Sequence, residues 1–169
     1  MTSRVFAALA MALAIASTPV AAAECPSALI CASNPAGVVA SLQAQGFKAA
    51  LGRSDSTGNP KITSAAAGYD YTIFFYGCDK GENCNSLGFS VTFSDDGTNS
   101  TQLANEWNKD KRFSVMSFDE SDKSLMMTYD VSTVGGLNQV NFADVVDWWQ
   151  AMLGQARVFF DAHPAPKKK

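Results

Sequence analysis

Four cysteines, one histidine and a knot of cations beside a tryptophan are the residues of this 169-residue chain whose types and spacing could do chemistry. The cysteines form two equally spaced pairs, Cys25/Cys31 and Cys78/Cys84. That spacing is wider than the C-x(2–4)-C of structural zinc and the C-x-x-C of redox centres. An even count in an exported chain suits disulfides, and four cysteines allow three pairings. The two local bridges are favoured, because Cys78 ends one strand and Cys84 approaches the next, so a bridge would close the loop between them.

Catalytic constellations are missing. A Ser-His-Asp arrangement would have to use His163, which falls in a proline-flanked tail where nothing is expected to hold it. No Gly-x-Ser-x-Gly occurs. The acidic loops Asp79/Glu82 and Asp119/Glu120/Asp122 lack the ligand pattern of a calcium-binding EF-hand, and ordinary turn chemistry accounts for them. The chain is therefore expected to be no enzyme and to carry no cofactor and no metal. What is left is binding. Trp107, Lys109, Lys111 and Arg112 sit at the end of one amphipathic stretch, with Glu106 beside them. These cations suit a helix C-terminus and could also grip a partner's carboxylates. Trp148 falls about 100° from Trp149 around the last helix, off its apolar stripe, and so needs some neighbour. Trp107 is the more core-like of the two candidates, since an aromatic on an apolar helix face is usually buried.

The elements that position these residues follow from periodicity. Asn34-Pro35 reads as a helix start, with Val38, Val39 and Leu42 as its stripe and Gly46 as its stop. Strands are predicted over residues 47–52, 61–64, 69–76, 87–94, 113–118 and 125–131, with Ala65 to Gly68 turning the chain. In the fourth, Leu87, Phe89, Val91 and Phe93 alternate with Gly88, Ser90, Thr92 and Ser94, so one face packs and the other is small and polar. The third carries apolar groups on both faces and is expected to be covered on both sides. A helix over 100–110 buries Leu103, Ala104 and Trp107. A last helix over 141–162 shows an apolar stripe through Phe142, Val145, Val146, Trp149, Met152, Leu153, Ala156, Phe159 and Phe160. The order is α-β-β-β-β-α-β-β-α with short links, which predicts an α+β fold: an antiparallel sheet with packed helices.

Residues 1–23 read as a signal peptide. Arg4 precedes an apolar run, and Ala21-Ala22-Ala23 predicts cleavage between Ala23 and Glu24. The run is shorter than a membrane span. The expected location is periplasmic or secreted, with no membrane span in the mature chain. Residues 24–163 form a single domain, and 164–169 a disordered basic tail ending in three lysines. Against 13 basic side chains stand 16 acidic ones, and losing Arg4 with the leader makes the balance more negative. A nucleic-acid partner would want the opposite sign.

Several stretches resemble the YbjN-domain family, which is described as bacterial sensory-transduction regulators. They are Asn34-Pro35, Gly58-Asn59-Pro60-Lys61-Ile62, Tyr71-Thr72-Ile73-Phe74-Phe75-Tyr76-Gly77-Cys78, Glu106-Trp107-Asn108-Lys109 with Lys111-Arg112-Phe113, and Gly135-Gly136 before the aromatic helix. The resemblance covers most of the mature chain. It implies a fold like that of type III secretion chaperones, small α+β proteins that often dimerise and bind extended segments of other proteins. It supplies no catalytic residues. Many members are cytoplasmic, and the leader and cysteine pairs set this chain apart from them. The expected function is that of an exported, non-catalytic protein-binding module, chaperone-like or regulatory, with a protein or peptide segment as partner and a homodimer as one assembly. The alternative is a periplasmic binder of small molecules or cell-wall fragments, and a hydrolase is the weakest reading.

Overall fold

A computed structural model describes residues 25–165. The leader and its cleavage point, and the lysines that end the tail, lie outside the described residues. The elements are α1 (Pro35–Ala44), β1 (Ala49–Arg53), β2 (Pro60–Ala66), β3 (Tyr69–Tyr76), β4 (Ser86–Phe93), α2 (Thr101–Asp110), β5 (Val115–Phe118), β6 (Leu125–Ser132) and α3 (Gln139–Ala162). This is the predicted order. Each helix starts on a side-chain cap that satisfies an otherwise orphaned N–H. Asn34 Oδ1 accepts from Gly37 (3.1 Å), Ser100 Oγ from Leu103 (3.2 Å) and Asn138 Oδ1 from Asn141 (2.8 Å).

The six strands form one antiparallel sheet in the order β1-β2-β3-β4-β6-β5. Among the described residues, the only strand neighbours that are not consecutive in the chain are β4 and β6. The chain leaves β4, runs through α2 and returns as β5 one place further out, so β6 then fills the gap between them. The β2–β3 turn is tighter than expected. Strand β2 runs on to Ala66, and only Ala67 (φ 51°) and Gly68 (φ 86°) make the turn. Two consecutive positive-φ residues match the right-handed twist of the flanking strands, which lets the pairing persist into the alanines.

All three helices feed a single core on one face of the sheet. Trp149 is its centre, fully buried, with its ring 5.6 Å from both Tyr71 and Phe89. Trp107 packs edge-on against Phe159 at 5.4 Å, and Phe93 meets Phe160 at 4.7 Å. The other face is open, which corrects the expectation that β3 is covered on both sides. Register places Thr63, Thr72, Ser90 and Thr128 in one row across that face. The outward aromatics of β3, Phe74 and Tyr76, lean on each other at 6.3 Å, and Tyr76 lies over Gly88, where any side chain would collide with it. An aromatic packed on a neighbouring glycine, with a second aromatic leaning on it, does not need a second layer of helices.

Both local disulfides form, Cys25–Cys31 and Cys78–Cys84. The second closes the β3–β4 loop. The first ties down the segment that pairs Ile30 with Leu137 just before α3. Among the described residues no helix is long and apolar enough to cross a membrane.

Candidate functional site

The α2–β5 junction and α3 carry the five residues singled out for binding, Trp107, Lys109, Lys111 and Arg112 on the one and Trp148 on the other. The structure divides them. Trp107 has no exposed surface, and its indole N–H donates to Ser114 Oγ (3.2 Å), itself buried. It is therefore a core residue, not a contact for a partner, because its side of α2 faces β5 and α3. Lys111 folds back over the Trp107 ring (5.8 Å), and Arg112 lies over the Phe113 ring (5.1 Å). Lys109 is exposed. Glu106 pairs with none of these cations and turns to His163 instead (3.2 Å).

His163 is held in place, contrary to expectation. Helix α3 continues to Ala162, so His163 caps it. Its Nδ1 meets Phe159 O (2.8 Å), its Nε2 meets Glu106, and its ring packs on Phe159 at 4.5 Å. Both ring nitrogens thereby face oxygen atoms of Phe159 and Glu106, and among the described residues no serine, threonine or cysteine side chain bonds to either. The acidic loop after β5 is turn chemistry, as its sequence suggests. Asp119 accepts from the N–H and hydroxyl of Ser121, which hold its carboxyl below the usual value, hydroxyl first. Among the described residues no three His, Cys, Asp or Glu side chains gather as metal ligands do.

Trp148 is 40% exposed, and its neighbour is Phe113, 44% exposed, with ring centroids 4.6 Å apart. Phe113 also meets the half-buried Tyr129 of β6 at 6.4 Å. Burial, with the Asp144 carboxylate adding to it, pushes the Tyr129 phenol above its ordinary value. Phe113 carries a φ of +71°, rare for an aromatic residue, and Ser114 N–H reaches back to Arg112 C=O (2.9 Å) across it. This three-residue turn aims the Phe113 ring at Trp148 instead of continuing strand β5.

Asn108 was legible only as part of the Glu106-Trp107-Asn108-Lys109 motif, without a role. Its amide accepts from Met116 N–H (2.7 Å) and donates to Met116 C=O (2.9 Å). One side chain thus occupies both backbone groups of Met116, the outward pair at the middle of β5, as a further strand would. Next to it in the chain, Trp107 is core. The motif is therefore a packing and edge-capping device, and the surface aromatics lie just beyond it.

The family model described as "YbjN: Putative bacterial sensory transduction regulator" matches residues 34–162. The chain belongs to the YbjN family. The crystal structure of YbjN from E. coli, "a putative transcription regulator", is similar over 80% of this chain and 95% of its own, with a TM-score of 0.58. At 14% identity that likeness shows the fold that YbjN proteins share. Among curated proteins no significant match is found. Relative to the matched span, Cys25 and Cys31 lie before the YbjN domain, whereas Cys78 and Cys84 lie inside it.

Proposed function

We propose that this YbjN-family protein is an exported, non-catalytic module that regulates by holding a segment of another protein. The observation that carries the reading is the Trp148–Phe113 pair, two large aromatics in contact and each about two-fifths exposed, with Arg112 stacked on the rim. Rigid aromatics beside an arginine are the side chains that dominate protein interfaces when buried by a partner. The two disulfides and the leader support an oxidising compartment outside the cytoplasm. The test is photo-crosslinking in cells, with a reactive amino acid in place of Trp148, a second at Lys109 and a control at Lys61 on the far side of the sheet. A discrete heterologous adduct at 148 and not at 61 is expected. Adducts at neither 148 nor 109, in a folded and exported protein, would refute the surface.

A second reading rests on the open face. Thr63, Thr72 and Ser90, three of the row of hydroxyls across that face, line a depression of about 770 Å³ together with Phe74. Hydroxyls next to an aromatic suit a sugar-containing fragment of cell wall. Amide shifts at Thr72 and Ser90 on adding muropeptides would support it. Shifts confined to the Trp148 region, or none, would dismiss it.

A further inference from the structure

The alternation of hydrogen bonds along β6 identifies which backbone groups of that strand are unused. One step beyond the Ser86–Ser132 pair, Thr133 N–H donates to Asn85 C=O (2.9 Å), so Thr133 turns its N–H toward the β4 side, while Asn85 N–H goes to Tyr76 C=O (3.0 Å). Bonded pairs recur every second residue in an antiparallel ladder. Residues 125, 127, 129 and 131 therefore bond to β4, and residues 126, 128, 130 and 132 turn their N–H and C=O groups outward. Strand β5 takes up the outward groups of 126 and 128, through the facing residues Ser117 and Val115. The next bonded partner along that register would be Phe113, facing Asp130. The tight turn at Phe113 removes it from the ladder, and no backbone bond joins the two. Among the described residues, the outward backbone groups of Asp130 and Ser132 have no protein partner.

The molecule treats its other edges differently. Met116 of β5 is closed by the Asn108 amide. On β1, Gln43 Nε2 donates to Ala49 C=O (3.1 Å), and Leu51 is the one large apolar side chain exposed there. Among the described residues, only at 129–132 does an open edge coincide with a cluster of accessible aromatic surface. Tyr129 and Val131 point to the helix side there, and Phe113 and Trp148 stand at the border.

From this the geometry points to strand addition: an extended segment of a partner protein pairs with β6 at Asp130 and Ser132. This deepens the proposed function and rests on it. The pairing has a register. Segment residues opposite Asp130 and Ser132 project over the open face, where a basic or polar side chain meets the Asp130 carboxylate. The residue opposite Val131 projects to the helix side, against Trp148 and Phe113, and is apolar. The partner is therefore recognised by a short polar-apolar-polar run, through its main chain as much as its side chains.

The experiment uses the full chain with the photo-reactive residue at 148, compared with the same protein carrying Ser132→Pro. Proline at 132 removes an outward N–H and leaves the β4 ladder untouched, since residue 132 does not bond to β4. Expected is a heterologous adduct whose yield falls at least tenfold in Ser132→Pro, with an unchanged melting transition. An undiminished adduct in the folded variant overturns strand addition and leaves the Trp148 surface standing. No adduct in the probe-bearing chain that keeps Ser132 removes both. A self-adduct alone, or an adduct that moves to a probe at Leu51, also overturns the proposal, by assigning the edge to a second copy or the binding to β1. Should Ser132→Pro fail to fold, amide exchange in the purified complex decides: at least tenfold slowing at Asp130 and Ser132 supports strand addition, and unchanged exchange there refutes it.

Discussion

Replacing Asn108 by alanine isolates the device that closes the β5 edge. The amide makes two hydrogen bonds to Met116, whose side chain is buried, so both backbone groups would be left with water as their only substitute partner. At about 1 kcal/mol net for each neutral bond, the loss is about 2 kcal/mol. Alanine is the better helix former and returns up to about 0.7 kcal/mol. The net destabilisation expected for Asn108→Ala is thus about 1.5 kcal/mol, with helix propensity the smaller of the two effects. Asn105→Ala, on the exposed surface of the same helix, makes the same propensity change without touching β5. The difference between the two variants should therefore be about 2 kcal/mol. With an unfolding entropy of about 2.1 cal/mol/K per residue, that is about 7 °C in melting temperature for a domain of this length. Urea unfolding of both variants, with the disulfides intact, measures the free-energy difference, and an unchanged m-value shows that the denatured state is the same. If the variants unfold within about 0.5 kcal/mol of each other, less than one bond's worth, Asn108 does not cap the strand and the contrast between closed and open edges fails.

The adjacent tryptophans should separate cleanly. Trp149→Ala is expected to cost about 3–5 kcal/mol, and Trp148→Ala about 1 kcal/mol, its contact with Phe113, with partner capture lost in the latter; comparable destabilisation in chemical denaturation would put Trp148 in the core. The chain has four tyrosines, and burial, the leading cause in each, holds the phenols of Tyr69, Tyr71, Tyr76 and Tyr129 above the ordinary 10.0. Their contribution to stability is whole below that value and is lost as pH rises through the folded values, because the unfolded chain ionises first. Urea midpoints should fall above about pH 10, less steeply in Tyr71→Phe, and an equal fall in that variant would show that the most buried phenol contributes nothing. Reducing both disulfides should cost about 2 kcal/mol for each short loop, read as a lower melting temperature with dithiothreitol; no change would mean that neither loop is constrained in the unfolded chain.

Much of the fold was legible because it is written in local periodicities. The alternation from Leu87 to Phe93 reports one buried face, and the stripe from Phe142 to Phe160 reports a helix that covers it, whatever lies further along the chain. Asn34-Pro35 marks a helix start through its own geometry. The reading of β3 failed for a related reason. Apolar side chains on both faces do not reveal whether a helix arrives, and here Tyr76 lies over Gly88 and Phe74 leans on Tyr76 instead. His163 was misread because the helix end was placed correctly while the Glu106 that meets it sits on another helix.

The chain's own order of residues determined the elements, their sequence, the α+β class and the family, since each rests on neighbours within a few turns or on a motif read in line. The surface was decided by tertiary structure. That β6 slots between β4 and β5, that β5 stops after four residues, and that Phe113 turns off the ladder and onto Trp148 all depend on side chains brought together from distant segments. Asn108 could be seen as part of a motif, but its partner Met116 lies across a turn whose shape comes from Phe113. An edge is open or closed only once every strand has its neighbour, and those pairings are set by packing across the whole sheet.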